Sequence, residues 1–274
     1  MVNSGTDKFA PVKWRALAMA LDMDPKICSE MFSHPNILWR RKTYLIRRVI
    51  RRGLREFEGL RARTTINFQP QWNSFAENSV ALDRDGYVFV ENFLTDSDFE
   101  ILKDNWPKNR YFTPVTPNED HKTSDKGLYC QHEKPGFDVG RNPVIYGLYK
   151  MFMSKNFRDE VTVLCGDDVA RMPYHLLVQN SFWGSGLAPH RDSHDDVLKS
   201  KINFIYFVES NGSGWDAGGT AILKSNDFTK PIFIPFNLNN SCLFYYSESE
   251  LFHGFPMIKF GKYRKNVIAH FCAS

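Results

Sequence analysis

The alternation of apolar and polar positions divides the chain into three stretches. In residues 42–62, Ile46, Val49, Ile50, Gly53, Leu54, Phe57 and Leu60 fall on one side of a helical wheel. Arg47, Arg48, Arg51, Arg52 and Arg55 fall on the other. That pattern predicts an amphipathic helix, and the strong helix formers of residues 14–23 (WRALAMALDM) predict another. A helical extension is therefore expected over residues 1–78. In the middle stretch, the Asp85-Gly86 turn leads into a strand at 87–93, and Thr95-Asp96-Ser97-Asp98 caps a helix over 98–105. Residues 107–142 are rich in Pro, Gly, Asn, Asp and Lys and read as a long irregular lid over a site. A single helix is expected over 142–156. From Tyr174 onward the runs YHLLVQNSF, KINFIYFVE, TAILK, PIFIPF, SCLFYY and RKNVIAHF alternate with Gly, Asn, Ser and Asp turns. Short strands at this spacing predict a sandwich or barrel.

Composition sharpens this picture. Hydrophobic residues make up 42% and charged residues 24%, which excludes a disordered chain. The 23 Phe, 11 Tyr and 6 Trp favour β-rich architecture, with the rings expected in a core between sheets. Five scattered cysteines (Cys28, Cys130, Cys165, Cys242, Cys272) show no C-x-x-C spacing, so neither a disulfide framework nor a zinc knuckle is expected. The N-terminus has no secretory pattern, and no apolar run approaches the ~18 residues of a membrane span. A reducing, cytoplasmic location is expected.

Charge is unevenly placed. Net charge is +4, yet residues 40–63 hold ten Lys or Arg and two acids, a local +8, so the other 250 residues sum to −4. The preferred reading of this basic helix is a solvated polar face with the apolar side docked on the body. A peripheral contact with an anionic membrane at its inner face is kept as a second reading. Nucleic-acid binding is disfavoured, because no aromatics interleave the basic face.

Candidate chemistry centres on Leu187-Ala188-Pro189-His190-Arg191-Asp192. A His and an Asp two residues apart on an extended chain share a face and can bind one metal. His253, sixty-one residues after Asp192, is the candidate third ligand. Two imidazoles and one carboxylate leave open positions opposite, as in non-haem Fe(II) oxygenases. Arg264 follows eleven residues later, after a turn at 260–262. Alternation puts Arg264, Asn266, Ile268 and His270 on one side of its strand. A fixed guanidinium suits bidentate recognition of a carboxylate, and Asn266 adds a hydrogen bond. Taken alone, His190 and Asp192 are a common loop ion pair, and Arg264 an ordinary strand-edge base. Together with His253 and the glycine-rich flanks, the metal reading prevails. Trp183 and Trp215 are expected to pack in the body, Gly218-Gly219 to form a turn needing positive φ, and His194, Asp195 and Asp196 a solvated turn. His270 is left open between core and pocket lining.

The set His190-x-Asp192…His253…Arg264 resembles the motif of the Fe(II)/2-oxoglutarate-dependent oxygenases. Residues 179–192 resemble the strand, glycine turn and metal strand of the prolyl-4-hydroxylase-like branch. Ile205-Tyr206-Phe207-Val208 followed by Trp215-Asp216-Ala217-Gly218-Gly219-Thr220 is similar to that branch's "YLN…W…GG" passage. Residues 253–265 are similar to bacterial members encoded near surface-glycan genes. The resemblance covers residues 80–274.

It implies a mainly β fold with flanking helices: a double-stranded β-helix, or jelly-roll, cupin-like core, over 79–274 after the helical extension. It implies Fe(II) on His190, Asp192 and His253, and 2-oxoglutarate with its distal carboxylate on Arg264. O2 would be consumed, with succinate and CO2 released. Asn180 is expected at the chelating end of 2-oxoglutarate. One departure is Phe207 where the family often has a Tyr; the role of that Tyr would fall to Asn203 or Asn266. The expected substrate is a small molecule, a glycan or a lipid-linked sugar. The alternatives are a prolyl or asparaginyl protein hydroxylase, a nucleic-acid demethylase and a non-catalytic jelly-roll binding module. His270 stands where the demethylases carry a second Arg, and the intact ligand set counts against the binding module.

Overall fold

The computed structural model describes residues 66–71, 75–108, 113–114, 126–131, 142–166, 175–191, 200–212, 214–247 and 250–272. The helices expected over 14–23 and 42–62 lie outside them, as do His194, Asp195 and Asp196.

Two antiparallel sheets form the body. The larger joins β1 (Tyr87–Glu91), β2 (Thr113–Pro114), β3 (Lys126–Gln131), β4 (His175–Phe182), β6 (Ser200–Ser210), β9 (Ser241–Tyr246) and β11 (Tyr263–Cys272), in the order β1-β9-β6-β11-β4-β3-β2. The smaller joins β5 (Leu187–His190), β7 (Ala221–Leu223), β8 (Pro231–Phe233) and β10 (Phe252–Phe255), in the order β5-β10-β7-β8. Four α-helices accompany them among the described residues: α1 (Phe75–Asp85), α2 (Asp96–Asp104), α3 (Pro143–Met153) and α4 (Lys155–Cys165). This is the expected jelly-roll with flanking helices.

The period-two alternation of β6 and β11 creates two cores. Ile202, Phe204, Tyr206 and Val208 of β6, with Val267, Ala269 and Phe271 of β11, pack against helical residues such as Leu82, Leu102, Leu148, Phe152 and Phe157. Ile205 and Phe207 point the other way and pack with Ala217, Ile222, Leu238, Leu243 and Tyr245. The rings therefore concentrate beneath the helices, not between the sheets as expected. Phe152 meets Phe157 at 5.0 Å, Phe204 meets Phe244 at 4.7 Å, and Phe157 stacks on Phe271 at 5.8 Å. The reason is spatial: the sandwich interior also houses buried polar residues, leaving less apolar volume there.

Local signals explain the element ends. The Thr95 side chain accepts from Asp98 N at 3.3 Å, starting α2 slightly ahead of its expected position. Asn142 accepts from Val144 N and Ile145 N and is followed by Pro143, both suited to a helix start. The single helix expected over 142–156 is two, because Ser154 adopts an extended conformation and caps α4 through Phe157 N. Strands β2 and β3 lie inside the stretch expected to be irregular. Asn240, at φ 51°, accepts from Leu94 N and Tyr206 Oη and donates to Leu94 O, tying the start of β9 to the segment after β1. Phe68 and Leu82 join the helix-side core, so residues 66–71 and α1 pack on this body. Trp183, expected to pack inside, is 65% exposed and meets only the edge of Phe260 among the described rings. No helix of the described residues is long and apolar enough to cross a membrane.

Candidate active site between the sheets

Strand β10 lies between β5 and β7, and its register places His253 directly opposite His190. The two imidazole rings lie 4.2 Å apart, centroid to centroid. Gly254 permits this approach: a Cβ there would sit 2.7 Å from Leu187 O and 3.1 Å from Ala188 O. His190 Nδ1 lies 3.0 Å from Ala188 O. That contact holds the proton on Nδ1 and turns Nε2 into the electron-pair donor, the tautomer a metal needs. His253 is buried, and desolvation, followed by the nearby His190, pulls its pKa well below the usual imidazole value. It is therefore a neutral imidazole at neutral pH. The Tyr245 ring packs against it at 4.8 Å. Asp192 lies outside the described residues, and among those described no group of three potential ligands forms.

Arg264 enters from β11 and is 1% exposed. Its guanidinium donates to Gly218 O and to Thr220 Oγ1, and lies 3.7 Å from the Phe255 ring centroid. Gly218 adopts φ +74°, matching the expected turn, and a Cβ there would strike Ile258 at 2.8 Å. Register sets Ser181 opposite Arg264 and Gln179 opposite Asn266 on β4. Asn266 Nδ2 donates to Gln179 Oε1 at 3.1 Å. Asn266 Oδ1 and Ser181 Oγ are buried and have no hydrogen-bond partner among the described residues. Buried polar groups are normally satisfied, so two orphans flanking an arginine fit a polar ligand.

Two expected site residues stand elsewhere. Asn180 turns to the helix layer, where its Oδ1 accepts from Trp106 Nε1 at 2.7 Å. Adjacent strand residues face opposite sides, so Gln179 and Ser181, not Asn180, share the sandwich face with Arg264. Asn203 is on the sandwich face but pairs with His270, six residues along β11 from Arg264, about 20 Å at strand spacing. At that distance Asn203 does not stand in for a tyrosine hydroxyl at position 207, which Phe207 lacks. Ser181, Gln179, Thr220 and Tyr245 lie against Arg264, Asn266 or His253, and the metal-and-arginine motif of the sequence does not single them out. The alternation of Leu176 and Val178 against Gln179 and Ser181 is the signal that points to two of them.

No family model matches the sequence, and no curated protein matches it. Solved structures do share its fold. A prolyl-4-hydroxylase from Pseudomonas putida is 11% identical, covers 73% of this chain and 100% of its own, with a TM-score of 0.54. A Trichoplax adhaerens prolyl hydroxylase, solved with a peptide of hypoxia inducible factor, is 16% identical over 73% of this chain and 89% of its own, TM-score 0.52. A non-heme alpha-ketoglutarate-dependent carbocyclase from nogalamycin biosynthesis is 11% identical over 75% and 87%, TM-score 0.52. The shared element is the fold of the 2-oxoglutarate-Fe(II) oxygenases.

Proposed function

We propose that this chain, built on the fold of the Fe(II)- and 2-oxoglutarate-dependent oxygenases, is itself such an enzyme and hydroxylates a small-molecule or glycan-type substrate. The observation that carries this reading is the opposed pair His190 and His253, the first set in its tautomer and the second kept neutral, in the same sandwich that buries Arg264. His190, His253 and Asp192 would hold Fe(II). When bound, iron and 2-oxoglutarate together supply O2 activation, with succinate and CO2 as by-products.

The protein's own residues bind and orient. Arg264, stacked on Phe255, offers a fixed fork to the distal carboxylate of 2-oxoglutarate. Ser181 Oγ is a hydroxyl donor beside it, and the Asn266–Gln179 pair forms the next polar row. The apolar cluster of Ile205, Phe207, Leu243 and Ile222 limits water in the sandwich. One solved neighbour is a prolyl hydroxylase in complex with a peptide and another a carbocyclase from nogalamycin biosynthesis, so fold alone leaves the substrate to the site.

For the chain's organisation, the proposal is an oxygenase domain over 79–274 preceded by a helical extension over 1–78, whose described end shares the body's core through Phe68. Membrane contact through residues 42–62 and a cytoplasmic location rest on sequence pattern alone.

Anaerobic titration with Fe(II) and 2-oxoglutarate tests the reading. A visible metal-to-ligand charge-transfer band is expected for the wild type and disappears in His190→Ala. Arg264→Met is expected to raise the 2-oxoglutarate concentration needed by about tenfold or more. Absence of the band in folded wild-type protein overturns the proposal.

A further inference from the structure

Two tight turns lie side by side at one end of the strands. The first joins β4 to β5, where Ser185 N donates to Phe182 O at 2.8 Å around Trp183 and Gly184. The second precedes β11, where Lys262 N donates to Lys259 O at 3.0 Å around Phe260 and Gly261. Gly184 has φ +84° and Gly261 φ +74°, the type II pattern, and each leaves an aromatic residue at the preceding corner. Gly184 N donates to Ile258 O and Ile258 N to Ser185 O, which ties the first turn to the approach to the second. Trp183 is 65% exposed, Phe260 81% and the nearby Met257 67%, and the two rings meet at 5.4 Å. Turn corners favour polar residues and glycine, and neither ring fills a core here. Three of the nine large apolar side chains exposed among the described residues thus gather at one tip, which marks a surface that meets a partner. The tip adjoins the end of β5 and β10 where Leu187 faces Phe255, about 10 Å along the strand from the level of His190 and His253.

The charges around the tip are basic on balance. Lys259 pairs with Asp216 at 2.7 Å, and Lys265 pairs with Glu209. Lys262 Nζ donates to a neutral group, Asn211 O, at 3.2 Å, so three lysines stand against two carboxylates.

We infer that this tip is a membrane-docking element: Trp183, Phe260 and Met257 enter the interfacial region of an anionic bilayer, with Lys259 and Lys262 at the lipid phosphates. Two rings projecting from turn corners are convex, and a fluid interface yields to them without a matching cavity. Tryptophan suits that depth, being apolar in its body and polar at its N–H, and lysine stems carry their charge outward to the headgroups. The chain as a whole is also attracted to a negative surface, because residues 40–63 hold a local +8. The element sets where the protein works and is independent of the oxygenase reading.

The experiment uses the full chain and vesicles of phosphatidylcholine, with and without phosphatidylglycerol. Co-sedimentation is expected with the mixed vesicles. The double variant Trp183→Ser/Phe260→Ser should bind them about tenfold or more weakly, and Lys262→Gln about fivefold. All these positions are exposed, so thermal melts should match the wild type. Brominated phosphatidylcholine in the mixed vesicles reads the insertion itself. Wild-type tryptophan fluorescence is expected to be quenched, and Trp183→Phe, which keeps an apolar ring, should still bind but lose that quenching. Adsorption through residues 40–63 alone would leave the double variant at wild-type affinity and the quenching independent of Trp183, and either result overturns the inference. Sedimentation velocity addresses a second copy as the occupant: a wild-type dimer that the double variant converts to monomer overturns it as well.

Discussion

Gly254→Ala is a stringent test of how the smaller sheet holds the histidine pair. The added Cβ would lie 2.7 Å from Leu187 O, about 0.7 Å short of ordinary contact. β5 is the edge strand of the small sheet, whereas β10 is held on its other side by β7. The strain is therefore relieved by β5 moving outward, and His190 moves with it. A metal site tolerates displacements of about 0.2 Å in ligand distance, so a shift of about 0.7 Å exceeds it several-fold. The expected loss in metal affinity is on the order of 10- to 100-fold, or about 1.4 to 2.7 kcal/mol. Co(II), followed by its visible spectrum, serves as the optical probe, and thermal melts without metal separate affinity from folding. Gly186→Ala is the internal control: its nearest contacts are Met257 backbone atoms at 3.3 Å, so its effect on Co(II) affinity should be small. Wild-type affinity in Gly254→Ala, or equal loss in Gly186→Ala, would refute the strand-displacement argument.

Three further outcomes are expected. Phe157→Ala removes a fully buried ring touching Phe93, Phe152, Phe204 and Phe271, and should cost about 3–5 kcal/mol in denaturant unfolding; a loss below about 1 kcal/mol would contradict the packing. Asn240→Ala strips partners from Leu94 and Tyr206 and should destabilise by about 2–4 kcal/mol, read from the same unfolding curves. Asn180→Ala removes the side-chain acceptor of Trp106 Nε1 and should cost about 1–3 kcal/mol with 2-oxoglutarate affinity unchanged; the reverse pattern would return Asn180 to the site.

What the sequence reveals follows from the range of the interactions involved. The strand content after Tyr174, the caps at Thr95 and Asn142 and the positive-φ turn at Gly218 are local, and local residues announce them. The inward row of Arg264, Asn266, Ile268 and His270 is legible because alternation needs only one strand. Asn180 fails because counting back from His190 does not say which parity of β4 faces the sandwich, and an error of one residue flips the side chain. Strands β2 and β3 escape the sequence pattern because their Gly- and Pro-bearing segments gain order by pairing with neighbours. The break at Ser154 is readable as a capping serine in mid-helix, but the apolar pattern continues across it. Aromatic content carries no information about which face of a sheet receives it.

The unequal use of the two faces of the large sheet has an evolutionary consequence. The aromatic mass that holds the fold lies beneath the helices, while the residues nearest the histidine pair occupy the opposite face. Substitutions on alternate positions of β6 and β11 therefore draw on separate reserves of tolerance. A mutant library confined to Asn203, Tyr245, Ile268 and His270 leaves the helix-side packing intact and should return more folded protein. A library of equal size at Phe204, Tyr206, Ala269 and Phe271 would mostly yield unfolded chains.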